Sequence, residues 1–140
     1  MALDAKQVEV WSASLSDRPG GLAGKLEALS QGGAALDFVV ARRAPEKPGT
    51  GVVFVAPLAS EREKQSAKAA GFAVSASLHS VRVEGADKPG MGANLTRALA
   101  ASGINLRGLS AAAIGKRFVC YLALDSASDA EKAVGVLKKL

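Results

Sequence analysis

Asp17-Arg18-Pro19-Gly20 and Asp87-Lys88-Pro89-Gly90 are one turn written twice, seventy positions apart. Each follows an apolar, β-prone run and opens an amphipathic, helix-prone one. Laying Leu15–Val39 over Gly85–Leu109 without a gap gives eight identities. They are the Asp, Pro and Gly of the turn, then Ala23/Ala93, Ala28/Ala98, Leu29/Leu99, Gly33/Gly103 and Leu36/Leu106. The matches fall on turn glycines and on one helical face, where a shared fold requires them. Self-similarity at a fixed offset decides architecture before any local pattern does. The chain reads as a tandem duplication of one small domain.

Working outward from the first turn, Gln7–Ser16 alternates like a strand, with Trp11, Ala13 and Leu15 on one face. Beyond it Leu22, Leu26 and Leu29 recur at helical spacing, and Gly32-Gly33 stops the helix. Ala34–Arg43 reads as a second strand, residues 45–51 as a loop and Val52–Leu58 as a third strand. Ser60-x-x-Glu63 has the capping-box pattern of a helix start. Gly71 ends that helix, and Phe72–Ser77 is a short fourth strand. The order βαββαβ is the split-βαβ, or ferredoxin-like, arrangement.

The second copy repeats it. Leu78–Glu84 is a strand, Met91, Leu95, Ala98 and Leu99 mark a helix, and Ile104–Ala112 and Arg117–Leu124 are strands. Ser128-x-x-Glu131 suggests a second capping box, and Ala130, Val134, Leu137 and Leu140 form the last helix's apolar side. No fourth strand fits before Leu140, which leaves a sheet edge to be covered or paired. The expected fold class is α+β, two ferredoxin-like domains in tandem, residues 1–77 and 78–140, the second lacking its last strand.

Halves of this size bury only about 60% of their unfolded surface. They are expected to pack together and against a second chain, as a homo-oligomer. Apolar residues at 49% and a mean hydropathy of +0.16 supply a core. No apolar stretch reaches the ~18–20 residues of a membrane span. Met1–Lys6 has neither the basic region nor the apolar segment of a signal peptide. Cys120 is the only cysteine, so an intrachain disulfide is impossible and a reducing cytoplasm is expected. The net charge of +5 is scattered, with Arg42-Arg43, Lys116-Arg117 and Lys138-Lys139 the tightest pairs, and reads as solvated surface.

Catalysis finds no constellation. His79 is the only histidine, no CxxC or HxxxH spacing is present, and the glycine-rich turns lack a P-loop ending. Residues 20–24 lack dinucleotide spacing as well. Cys120 alternates with Phe118 and Leu122 and reads as a small buried hydrophobe. No enzyme, metal or cofactor is expected. The turns offer different chemistry. A glycine-rich strand-to-helix corner leaves backbone N–H groups at the positive end of a helix, a seat for an α-carboxylate. Asp17 or Asp87 can accept hydrogen bonds from an ammonium group a few ångströms away. The same residues also serve as ordinary caps and tight-turn formers, so both readings stand open.

With these turns, the Gly103-Ile104-Asn105-Leu106 lead into a strand and the βαββαβ order, the sequence resembles a tandem pair of ACT domains. Asp17-Arg18-Pro19-Gly20-Gly21-Leu22 is similar to the family's D-x-P-G-x-L, and the second copy to the repeats of aspartate kinases. Gly92 at the usual Leu position, Ala34-Ala35 opposite Ile104-Asn105 and the missing last strand depart from the pattern. The resemblance implies a small amino acid as effector, bound near the turn against a neighbouring domain's second strand. It also implies association with a biosynthetic enzyme. The residues implied are Asp17, Pro19, Gly20, Gly21 and Leu22, with Asp87, Pro89, Gly90, Met91, Gly92 and Asn94. Two other classes fit the same order. RNA-recognition modules place aromatic residues on the two central strands, where Trp11, Phe54, Phe118 and Tyr121 lie. Trp11 and Phe118 read as core, and Tyr121 as facing the opposite side. A docking module that binds no small molecule is the third class.

Overall fold

The structure, a computed structural model, describes residues 3–140. The described chain divides into two units, Glu9–Ser75 and residues 3–8 with Ala76–Leu140. This differs from the expected division at residues 77 and 78, because the start of the chain belongs with its second half.

In the first repeat, β2 (Trp11–Ser16), α1 (Gly21–Gln31), β3 (Phe38–Arg43), β4 (Thr50–Ala56), α2 (Glu61–Ala69) and β5 (Ala73–Val74) follow in order after β1 (Asp4–Val8). They make an antiparallel sheet β3-β4-β2-β5. Alternation along β2 and β4 sends Trp11, Ala13, Val53 and Val55 to the helix side, where they join Leu29, Leu58, Ala67 and Phe72 in one core. Expected strand Phe72–Ser77 shrinks to two residues because Phe72 turns into that core instead. Ser60 caps α2 as expected: its hydroxyl accepts from the Glu63 amide at 3.1 Å while Glu63 accepts from Ser60 N at 3.2 Å. The α1 and α2 ends are also tied by side chains. Lys25 Nζ donates to the Ala70 carbonyl at 2.6 Å, and Arg62 to the Gln31 carbonyl at 3.0 Å.

The second repeat comprises β6 (His79–Ala86), α3 (Met91–Ala101), β7 (Leu106–Ile114), β8 (Arg117–Leu124) and α4 (Ala127–Leu137), in a sheet β1-β6-β8-β7. The single strand expected over Gln7–Ser16 is therefore two strands in two sheets. Residues Asp4–Val8 run antiparallel to Ser80–Glu84 and fill the edge left by the missing last strand. Leu3 and Ala5 alternate into the second core. Gly85 makes room, since a Cβ there would lie 2.6 Å from Leu3 Cδ2. That core holds Val81, Val83, Leu95, Leu99, Cys120, Leu122, Leu124 and Leu137.

Two further expectations shift. The α4 cap is Ser126, not Ser128, with its hydroxyl accepting from the Asp129 amide at 3.0 Å. Starting α4 there turns Ala130, Ala133 and Leu137 inward and leaves Leu140 exposed. Cys120 is buried, and burial pushes its thiol up to about 11.

Candidate functional site: two glycine corners

Each repeat turns from its first strand into its first helix through the same hydrogen bonds. The Asp17 amide donates to the Gly49 carbonyl at 3.1 Å, and the Asp87 amide to that of Lys116 at 2.8 Å. Gly21 N donates to Arg18 O at 3.0 Å, and Met91 N to Lys88 O at 3.2 Å. Gly20 and Gly90 then sit at φ 86° and 85°, a left-handed conformation that costs a residue with a Cβ. Helix bonds resume with Gly24 N to Gly20 O and Asn94 N to Gly90 O. These paired distances establish the repeat at atomic level.

Neither α1 nor α3 has a side-chain cap, and neither carries an acidic residue in its first turn. In contrast, α2 and α4 each begin on a serine that caps them. The first amides of the corner helices, Leu22 and Ala23 in one and Gly92 and Ala93 in the other, therefore lack the side-chain acceptor the others have. Helix start and positive dipole end coincide there.

The structure places the sequence-derived residues as follows. Pro19, Gly20, Pro89, Gly90, Gly92 and Asn94 are exposed along the two corners. Gly21 is held against β2, for a Cβ there would collide with the Ser16 carbonyl. Leu22 and Met91 are half-buried and pack on their respective cores. Asp17 meets a residue outside that set: Arg43 Nε on β3 lies 2.9 Å from its Oδ2. The duplication gives no signal for Arg43, since the matching position is Ala113, and only strand register brings Arg43 beside Asp17. Asp87 has no ion pair among the described residues.

Two open hollows adjoin the first corner. One, of about 200 Å³, lies between the turn and β3, with Leu15, Leu22, Ala41 and Gly51 beneath Asp17 and Arg43. The other, of about 460 Å³, lies across α1, bounded by Arg18, Gly21, Gly24, Lys25 and Ala70.

Elsewhere three of the four aromatic positions lack the display a base-stacking surface requires, and only Phe54 on β4 is left partly exposed, between the buried Val53 and Val55. Trp11 and Phe118 are in the cores. Tyr121 is nearly buried on the opposite face, where its hydroxyl accepts from Arg82 Nε at 3.2 Å and its ring lies 5.9 Å from the guanidinium. Glu84 bridges Arg82 at 2.8 Å and Arg117 at 2.9 Å, and those cations hold its carboxyl below the usual range, Arg82 foremost. Among the described residues no group of His, Cys, Asp and Glu has metal-ligand geometry, and no helix is long and apolar enough to cross a membrane.

Residues 80–140 match the ACT domain family. The whole chain is similar to a solved protein of Bacteroides thetaiotaomicron, with 20% identity, TM-score 0.77, and 97% and 90% of the two chains covered. It is similar to the ligand-free regulatory subunit of aspartate kinase from Thermus thermophilus, with 17% identity, TM-score 0.65, and 99% and 96% covered. The Thermus flavus regulatory subunit gives 18% identity and TM-score 0.63 over 99% and 96% of the chains. No curated protein matches this chain. The likeness extends beyond residues 80–140 to both repeats, and at these identities it is a likeness of fold. The chain thus carries an ACT domain at residues 80–140, within a tandem fold of the kind that aspartate kinase regulatory subunits have.

Proposed function

We propose that the chain is a non-catalytic regulatory module that binds a small amino acid at its glycine corners. The observation that carries this reading is the contrast in capping: serines close α2 and α4, while both corner helices open on bare glycine. An α-carboxylate supplies the acceptor those helix starts lack, and the dipole favours it. Asp17 or Asp87 receives the ammonium group, and Leu22 or Met91 lies under the side chain. Pro19, Gly20 and Gly21, with Pro89, Gly90, Gly92 and Asn94, shape the two walls. The aspartate kinase regulatory subunits of like fold support a biosynthetic enzyme as the partner; a homo-oligomer, with a neighbouring domain's second strand against the site, is part of the same proposal. Ligand would act by favouring one arrangement of the module over another, through differential affinity for the two. The cytoplasm is the proposed setting.

A thermal-shift panel of the twenty amino acids and the common nucleotides tests this. A ligand at a hundred times its Kd adds roughly 2.7 kcal/mol, which is several degrees in Tm for a chain of this size. Stabilisation by one or a few amino acids, reduced by Asp17→Ala or Asp87→Ala, is the expected result. A flat amino-acid panel overturns the proposal, and salt-sensitive oligonucleotide binding in its place would point to nucleic acid.

A further inference from the structure

The two corners share a backbone turn but not the strands beside it. Register puts Arg43 opposite Gly51 in the first repeat and Ala113 opposite Phe118 in the second. At the first corner a cation thus stands over a glycine. A Cβ on Gly51 would lie 2.8 Å from the Arg42 carbonyl and 3.0 Å from Leu15 Cδ1. The 200 Å³ hollow opens beside these atoms, with Leu15, Leu22 and Ala41 as its apolar lining. At the second corner the buried Phe118 ring occupies the glycine's position, and Ala113 supplies no charge.

We infer that the first corner is the tighter of the two and that Arg43 determines its specificity. The α-carboxylate seated at the bare start of α1 is also received by the Arg43 guanidinium, Asp17 receives the ammonium, and a short aliphatic side chain enters the hollow over Leu15 and Leu22. This rests on the amino-acid reading above and adds to it a residue, a choice of corner and a ligand class. Arg43 and Asp17 face each other at 2.9 Å, with their side chains 82% and 36% exposed. So exposed a pair holds little free energy. A zwitterion inserted between them keeps each charge opposed and exchanges one solvated contact for two charge-assisted ones. Arg18 and Arg42 on the rim favour the carboxylate end at that side.

The test follows backbone amides of the ¹⁵N-labelled full chain during titration with L-valine, with valinamide, which lacks the carboxylate, and with isovalerate, which lacks the ammonium. Valine is expected to move Gly20 and Gly21 at concentrations below those that move Gly90 and Gly92. Arg43→Ala, a change at an exposed site, is expected to weaken valine about tenfold or more at the first corner and to leave valinamide unaffected. Arg43→Lys should recover part of the loss. Valine binding equally well or better to Arg43→Ala would overturn the inference, making Arg43 a mere block on Asp17. So would isovalerate binding as tightly as valine, or earlier saturation at the second corner. The first and last of those outcomes leave the amino-acid reading intact, whereas tight isovalerate binding would also count against it, because no ammonium would then be recognised. If no corner amide responds to any of the twenty amino acids, the amino-acid reading falls and takes this inference with it.

Discussion

The first repeat ties its two helices together with polar contacts, and the second packs its two helices through apolar side chains. In the first, α2 buries only Ala67, and Lys25 and Arg62 bind α1 and α2 through their end carbonyls. Trp11 is buried there with its indole Nε1 unpartnered among the described residues. The position matching Lys25 is Leu95, which is fully buried, and α3 and α4 meet through Leu99, Ala130, Ala133 and Leu137. The corners diverged in the same direction. Arg43 and Gly51 leave a charged hollow in the first repeat, whereas Ala113 and Phe118 put apolar atoms there in the second. One turn, copied with its hydrogen bonds, thus sits on a solvated scaffold in one repeat and a dense one in the other.

The largest expected effect breaks the dense core. Leu99→Ala should cost about 2–5 kcal/mol, seen as faster thiol labelling of Cys120, whose burial otherwise keeps it protonated and unreactive. Leu29→Ala, the matching change, should show instead in the fluorescence of Trp11, the chain's single tryptophan. Equal labelling rates in wild type and Leu99→Ala would contradict the packing described. Next comes the corner. Gly21→Ala forces a Cβ against the Ser16 carbonyl and should cost about 1–3 kcal/mol by denaturant titration. Caps rank third: Ser60→Ala and Ser126→Ala should each lower stability by about 1 kcal/mol. An unchanged denaturation midpoint in either variant would remove the contrast between capped and bare helices.

Gly92→Ala has the opposite sign. Nothing lies within 4 Å of a Cβ there and the residue is helical, so stability should rise by about 0.5–1 kcal/mol. The smallest effect is electrostatic. Arg82 and Arg117 hold the folded-state Glu84 carboxyl below its unfolded value, so its contribution is present at neutral pH. That contribution fades as pH falls through the carboxylate range. Glu84→Gln should flatten stability between neutral and acid pH, and a slope equal to wild type would contradict the assignment.

Much of this was legible in the sequence because both corners rest on local chemistry. D-x-P-G fixes a turn within four residues, and φ near 86° at Gly20 and Gly90 follows from it. The Ser60 box was equally local. Tertiary contacts were not. Nothing in Gln7–Ser16 reveals that its first residues belong to another sheet, since strand alternation is the same whichever partner is chosen. Ser126 and Ser128 are both competent caps by type, and burial of Ala130 and Ala133 decides between them. Arg43 looked like half of a basic pair until register placed it over Gly51 and beside Asp17.

The most direct measurement is a crystal structure of the chain grown with whichever amino acid raises Tm most. Electron density for that ligand between Asp17 and Arg43, with its carboxylate toward the guanidinium, is the expected result. An empty first corner, with the amino acid bound elsewhere and the Asp17–Arg43 pair intact, would contradict it.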